Sequence, residues 1–406
     1  MVTAALRRPP SLPVDRDLPG AADLLAGAGA ERVARFLVER GLEPHRVEPA
    51  QAHYRPGRWL TVGFRTAAVD RASDRPVTPT VIVDCRAGAP DAVWVFPDDP
   101  VLAGLAAAAD GRQVRRRLRP RPSLVQVEPI AYRPRRRAVL RYRLDGQRVL
   151  FGKVVRAKRA RSLLALAGAV PAGPLRLALP AGRLAAGALV VPCVPGTSLR
   201  ELLVGGRALP PPDRLAALPA ALHRQCLSGN PGAGFPASGR RRVDPGTALG
   251  AAQVATRLLP DLGCAARRVA EGVIGRAEEG DGPEEGIVHG DLYENQILVD
   301  GETLGLLDLD DLGPGDPWLD AANFSAHLLM LGTSGLPAAA GVLRYREELR
   351  AALCRRLDAD PAALAWREAY CLLRLASGPF RVLHPEWPQR MAQRLSLATE
   401  AFAARR

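Results

Sequence analysis

The stretch HGDLYENQILVD (289–300) sets one imidazole, one carboxylate and two adjacent amides ahead of a short apolar run. Farther on, LLDLDD (306–311) brings Asp308, Asp310 and Asp311 in behind a second apolar run. Ile297–Val299 and Leu304–Leu307 flank Asp300-Gly301, a strong hairpin signal, so the two segments fold back on one another. Residue 296 then comes close to the 305–308 end, and Asp291 lies near Asp308. Two carboxylates and an amide oxygen at one mouth are hard oxygen ligands, suited to Mg²⁺ that also holds substrate phosphates. A glycosidase pair at Asp308 and Asp310 is the rival chemistry. It fails because residues two apart on a strand share a face, whereas a glycosidase pair must flank the sugar from opposing sides.

These residues need a scaffold, and the rest of the chain supplies its outline. VEPAQAHYRPGRWLTVGFR (47–65) resembles VEPIAYRPRRRAVLRYR (127–143), each reading Val-Glu-Pro, a spacer, Tyr-Arg-Pro and then alternating apolar residues. The ordered match points to a shared strand–turn–strand unit. Around the first copy, the pattern predicts a helix over 30–41 and strands near 79–85 and 92–96. A Pro/Arg-rich linker then leads to the second copy, placing a boundary near residue 120. Strands are expected at 124–131, 137–144 and 148–155, the last two joined at Asp145-Gly146, followed by a helix over 158–169 and strand-like 187–194. Beyond, the chain reads helical at 212–226, 247–277, 318–333, 341–357, 361–377 and 386–404, interrupted by strand character at 286–312. A small β-rich lobe followed by a large helical lobe is an α+β arrangement.

His289-Gly290-Asp291, the strand after it and LLDLDDLGPGDPWLDAANF (306–324) together resemble the aminoglycoside phosphotransferase family, small-molecule relatives of protein kinases. The match runs in order through 124–390 and is specific around 286–324. The resemblance implies a bilobal protein-kinase-like fold, with residues 1–120 an additional α/β region partly duplicating the N-lobe, 121–195 the N-lobe and 196–406 the helical C-lobe. It implies ATP and Mg²⁺ as cofactors. It also makes Asp291 the catalytic base or hydroxyl-orienting group and Asp308 a metal ligand. Asp320 corresponds to a buried Asp that accepts catalytic-loop amides, and His289 reads as a packed brace of that loop. Phosphoryl transfer needs positioning and charge more than covalent help, which agrees with this set.

Lys153 falls where the family keeps its ATP-phosphate lysine. Lys153 and Lys158 are the two lysines among 56 basic residues, and a compact ammonium fits between phosphates where a guanidinium fork fits less well. The segment 156–170 has no acidic residue to pair with it. In place of a Gly-rich loop stands YRPRRRAVLRY, whose Arg135–Arg137 either clamp phosphates or are solvated. VVPCVPG (190–196) resembles the inter-lobe hinge that binds adenine, with Pro192 offering a carbonyl and Val194 an amide; a buried core strand is the competing reading. The family pattern sets the metal-binding amide five residues after the catalytic Asp. That count lands on Gln296; strand alternation sends Asn295 and Gln296 to opposite faces unless the strand begins after them, and alignment of QILVD with the family's strand favours Gln296.

A net charge of +14 raises the question of nucleic acid. The arginines are dispersed along the chain and aromatics are only 5%, leaving few stacking platforms, so nucleic acid is not an expected partner. No apolar run reaches membrane-spanning length, no N-terminal leader is evident, and six scattered cysteines without a C-x-x-C pair suit reduced thiols. A cytoplasmic protein without membrane contact is expected. The leading function is an ATP-dependent kinase for a hydroxyl of an aminoglycoside, sugar or natural product. A Ser/Thr kinase of a peptide in a dehydrated-peptide pathway is an alternative, with the N-terminal region recognising peptide or a partner protein; a nucleotide-binding pseudokinase scaffold is another. Glu294, Asp310 and Asp311 could line a pocket for a polycation, while Arg350, Arg355, Arg356, Arg374 and Arg381 favour a neutral or anionic acceptor.

Overall fold

The computed structural model of the protein describes residues 15–145, 148–229, 235, 241–280 and 282–404. By packing, the chain divides into two units. One gathers residues 1–100, 249–267 and 375–395; the other gathers 101–248, 268–374 and 396–406.

In the first unit, strands Leu42–Arg55, Trp59–Asp70, Thr80–Arg86 and Ala89–Val95 form an antiparallel meander, with Arg75–Val77 pairing the end of the second. Val81, Ile82 and Val83 are all fully buried, so the third strand is covered on both faces. Helix Gly27–Val38 contributes Val33 and Leu37 to this core.

The second unit carries a five-stranded antiparallel sheet in the order Gly182–Ala185, Ala188–Pro192, Val149–Val155, Arg137–Leu144, Val125–Arg133. Gly146 and Gln147, where a hairpin turn was expected, lie outside the described residues; the strands on either side pair in register from Arg137↔Val155 to Arg143↔Val149. Helix Ala157–Ala169 follows the central strand and packs Leu163 and Leu166 inward. Residues 101–120 belong to this unit rather than ending before it. Helices Leu105–Ala109 and Gly111–Arg117 lie there, and the buried Tyr142 hydroxyl donates to Ala108 O at 2.9 Å.

The two copies of the Val-Glu-Pro/Tyr-Arg-Pro pattern adopt the same hairpin. Each strand pair shifts register just after its proline, between Pro49 and Gln51 in one and between Pro129 and Ala131 in the other. Each turn then places one residue in the left-handed region, Gly57 at φ +67° and Arg135 at φ +60°.

The remainder of the second unit is helical around one apolar core that includes Leu189, Leu222, Leu306, Leu309, Phe324 and Leu349. The helices expected at 212–226 and 247–277 are each broken. The first splits into Pro212–Ala216 and Leu218–Leu227, and the second into Pro245–Leu258 and Gly263–Glu278, because Pro260 cannot continue a helix. Asp316 caps helix Pro317–Gly332, accepting from Trp318 N at 2.9 Å and Leu319 N at 3.2 Å. Among the described residues, no helix is long and apolar enough to cross a membrane.

Gly152, beside Lys153, sits against the fully buried Tyr142; a methyl group added there would lie 2.1 Å from the tyrosine oxygen and 2.5 Å from its ring. Gly152→Ala is therefore expected to destabilise the protein by about 1–3 kcal/mol through overpacking. Urea unfolding checks this, and a variant as stable as the parent would contradict it.

Candidate active site

Strand Ile297–Asp300 pairs antiparallel with Thr303–Leu306, Gly301 taking φ +55° at the turn. The amide of Leu307 donates to Gln296 O at 2.9 Å, extending the ladder one step and bringing residue 296 beside Asp308. The strand ends there. Asp308 has φ +55° and residues 309–311 form a 3₁₀ turn, so Asp308 and Asp310 share no strand face, contrary to the strand geometry expected from the sequence. The tight turn converges their carboxylates by another route.

Both meet Lys153. Its Nζ lies 2.8 Å from Asp308 Oδ1 and 2.5 Å from Asp310 Oδ1. Arg137, at the start of the neighbouring strand, donates to both Asp308 oxygens at 2.8 and 3.1 Å and stands 3.6 Å from Asp310. The partner missing from 156–170 is thus a pair of aspartates far along the chain. Burial alone would push the Asp308 carboxyl up, but Lys153 and Arg137 hold it well below the usual carboxylate range. Burial likewise disfavours the Lys153 ammonium, and Asp310 and Asp308 more than offset it, raising its pKa.

The loop carrying Asp291 is fixed from beneath. Asp320 accepts from His289 N at 2.6 Å and Gly290 N at 2.9 Å. One turn farther along the helix, Asn323 donates to Leu292 O at 2.9 Å. His289 is fully buried. Its Nδ1 accepts from Asp291 N at 3.3 Å, which leaves the proton on Nε2 for Leu307 O at 2.8 Å. Gly290 takes φ +81°, and a methyl there would meet Asp311 O at 2.7 Å.

Asp291 itself faces cations. Arg374 Nη2 lies 3.6 Å from its Oδ1 while donating to Asn323 Oδ1 at 2.8 Å. Arg137 also feels the charge of Asp291. Tyr293 bridges toward the amide: Gln296 Nε2 donates to its hydroxyl at 3.0 Å. Burial, then Asp291, Glu294 and Asp308, raise the Tyr293 pKa. Gln296 is buried and Asn295 exposed, but both lie in the turn before the strand, Gln296 N donating to Tyr293 O at 2.9 Å, so the turn and not the strand alternation expected from the sequence separates them. Strand Ala188–Pro192 is buried at Ala188, Leu189 and Val191, half-buried at Val190 and exposed at Pro192; Val194 packs its side chain against Gly305.

Asp308 and Gln296 fit a magnesium ion. The charged carboxylate and the amide oxygen left after Nε2 bonds Tyr293 make two protein oxygens, and Mg²⁺ keeps its other positions for water and phosphate. Among the described residues, no three His, Cys, Asp or Glu side chains form a ready cluster.

Sequence reasoning left Arg137 undecided and missed Asn323 and Tyr293. Asn323 carried a signal, three residues after Asp320 and so on the same helix face. Of the arginines weighed for the acceptor, Arg350 pairs with Glu368, and Arg355 and Arg356 stand by Asp213; Arg374 is the one beside Asp291.

A family model described as the phosphotransferase enzyme family matches residues 130–367, more than half of the chain. The chain belongs to that family and is a phosphotransferase. No curated protein matches it significantly in sequence. Among solved structures it is similar to a thermostable mutant of an aminoglycoside phosphotransferase in ternary complex with ADP and hygromycin B, at 15% identity and TM-score 0.47, covering 72% of this chain and 98% of that one. It is also similar to a choline/ethanolamine kinase family protein from Mesorhizobium loti (18%, TM-score 0.44, 69% and 92% covered). A choline kinase from Cryptosporidium parvum Iowa II is a third (9%, TM-score 0.45, 69% and 89%).

Burial pushes the Asp320 carboxyl up to about 6, against the pull of His289 and the two loop amides. A carboxyl raised in the folded state contributes stability fully present below about pH 4 and lost as pH rises through about 6, on the order of 3 kcal/mol. Asp320→Asn should remove that part of the pH dependence and, by leaving one loop amide without an acceptor, destabilise most at low pH, the two curves converging as pH rises through about 6. Denaturant unfolding from pH 4 to 7 tests it; parallel curves for the two proteins would contradict the assignment.

Proposed function

We propose that the protein transfers the γ-phosphate of ATP to a hydroxyl of a small molecule, with Asp291 positioned to accept or orient the hydroxyl proton. The observation that carries this reading is the single charge cluster joining Lys153, Arg137, Asp308 and Asp310, with Asp291 within its reach. In the absence of nucleotide these cations and carboxylates neutralise one another. A triphosphate draws Lys153 and Arg137 onto its oxygens, because a multiply charged phosphate chain outcompetes a carboxylate for both. Asp308 is then released from its ion pairs and, with Gln296, would hold Mg²⁺, which supplies charge neutralisation over the phosphates. Pro192 O and Val194 N–H serve the adenine, at the point where the strand leaves the sheet. His289, Asp320 and Asn323 keep the Asp291 loop fixed, which is what a reaction governed by positioning demands.

ATP with Mg²⁺ should raise the melting temperature of the wild-type protein, and Asp308→Ala should lose the Mg²⁺-dependent part of that rise. Asp291→Ala should keep the nucleotide response while turnover falls about 10²–10⁴-fold. Gln296→Ala should impair use of Mg-ATP about tenfold, more than Asn295→Ala does. A wild-type protein indifferent to ATP would overturn the reading, and the reverse amide ranking would overturn the register.

A further inference from the structure

We propose that the arginine-walled cavity next to the Asp291 loop receives the acceptor, and that the acceptor carries an oxyanion, phosphate or carboxylate, besides the hydroxyl that is phosphorylated. This rests on the placing of Asp291 at that hydroxyl.

The cavity measures about 510 Å³, room for a sugar-phosphate-sized molecule. Arg133, Arg135, Arg136 and Arg137 come to it from one hairpin turn, and Arg156 and Arg159 from the start of the helix after the Lys153 strand. Among the described residues, two carboxylates, Asp310 and Asp311, stand in its wall. Asp310 is bound by Lys153 at 2.5 Å, and Asp311 by Arg159 at 3.2 Å. The cavity therefore keeps an excess of positive charge, and a concave wall of like charges focuses an attraction for anions.

The turn itself gives an independent sign. In the first hairpin the left-handed position is Gly57, which adopts it without strain; in the second, the matching position is Arg135 at φ +60°. At that position the arginine brings to the cavity a side chain that glycine would not supply.

Placement ties the cavity to the chemistry. Asp311 packs against Gly290, the neighbour of Asp291, closely enough that a methyl there would lie 2.7 Å from its carbonyl oxygen. One wall residue of the cavity thus packs directly on the loop that presents Asp291, whose carboxylate has Arg374 at 3.6 Å. Among the described residues, a polycationic acceptor would meet six arginines in the wall against Asp310 and Asp311. Glu294, the third candidate, is fully buried and bonded by Arg200 at 2.6 Å.

The test titrates the full-length protein, saturated with ADP and Mg²⁺, with glycerol 3-phosphate, glycerate and glucosamine by calorimetry. Glycerol 3-phosphate or glycerate should bind alongside ADP, the stronger of them naming the oxyanion, and glucosamine should not. Arg136 and Arg156 are both exposed, so Arg136→Gln/Arg156→Gln should fold normally and weaken anion binding about tenfold or more, with ADP affinity kept. Anions that displace ADP would assign these arginines to the nucleotide tail and overturn the proposal. So would glucosamine binding the more tightly, unchanged affinity in the double variant, or no anion binding at millimolar concentration. A wild-type protein that fails to bind ADP would instead strike the phosphotransferase reading, and the same titrations without nucleotide would still read the cavity.

Discussion

The arrangement depends on one carboxylate, Asp308, being delivered to two cations at once. Lys153 and Arg137 sit on adjacent strands of the sheet, and Asp308 sits beyond the hairpin of the helical part. Because all three side chains are largely buried, removing any one strands a charge in a poorly solvated place, a loss typically of about 3–5 kcal/mol. Such a cluster is therefore a poor device for stability and a good one for register. It fixes the sheet against the hairpin in a geometry that a triphosphate can take over, since the ligand offers the cations the same kind of partner that the aspartates offer without it. The left-handed backbone at Asp308 belongs to the same constraint, for an extended residue there would carry Asp310 to a different place.

A second constraint acts on the Asp291 loop. Its amides, its carbonyl at Leu292 and its imidazole are bound to groups that do not move: two side chains one turn apart on a helix, and the carbonyl of Leu307. Leu307 in turn is bonded to Gln296. The Asp291 loop, the hairpin and Gln296 are thus one hydrogen-bonded body, and a shift of the hairpin would be felt at Asp291. Burial raises the Asp320 pKa, so the brace is a cost accepted for position.

Much of this was legible before any coordinates. The strands at 137–144 and 148–155 and the 297–306 hairpin follow from period-2 alternation and a two-residue turn, both local properties. The separation of Asn295 from Gln296 was expected from the same period, but the strand begins at Ile297 and a turn sets the two amides apart. Family resemblance supplied Asp291, Asp308 and Asp320, whose roles a single chain's pattern does not reveal. The contacts that escaped are those without local cause. Arg137 meets Asp308 across 171 positions, and in a chain so rich in arginine no spacing distinguishes it from its solvated neighbours. Pro260 had announced its helix break, but the apolar pattern on either side masked it.

The paired hairpins show how a binding surface can differ while its frame stays the same. Both have the proline-linked register shift and the Tyr-Arg-Pro turn, so the backbone solution is common to both. They diverge at the left-handed position and the two residues after it, Gly57-Arg58-Trp59 in one and Arg135-Arg136-Arg137 in the other. A glycine there relaxes the turn and contributes no side chain; an arginine accepts strain and gains a guanidinium. The copy that bears the strain is the copy that faces Asp308 and Asp310. Family relatives of the kinase type approach phosphates with a glycine-rich turn, through backbone amides. Here the same turn presents arginine side chains, and a guanidinium fork reaches farther than an amide does and can pair with an oxyanion by two bonds at once. The departure from the glycine-rich pattern is on this view a change in what the turn recognises, with the hairpin beneath it left intact.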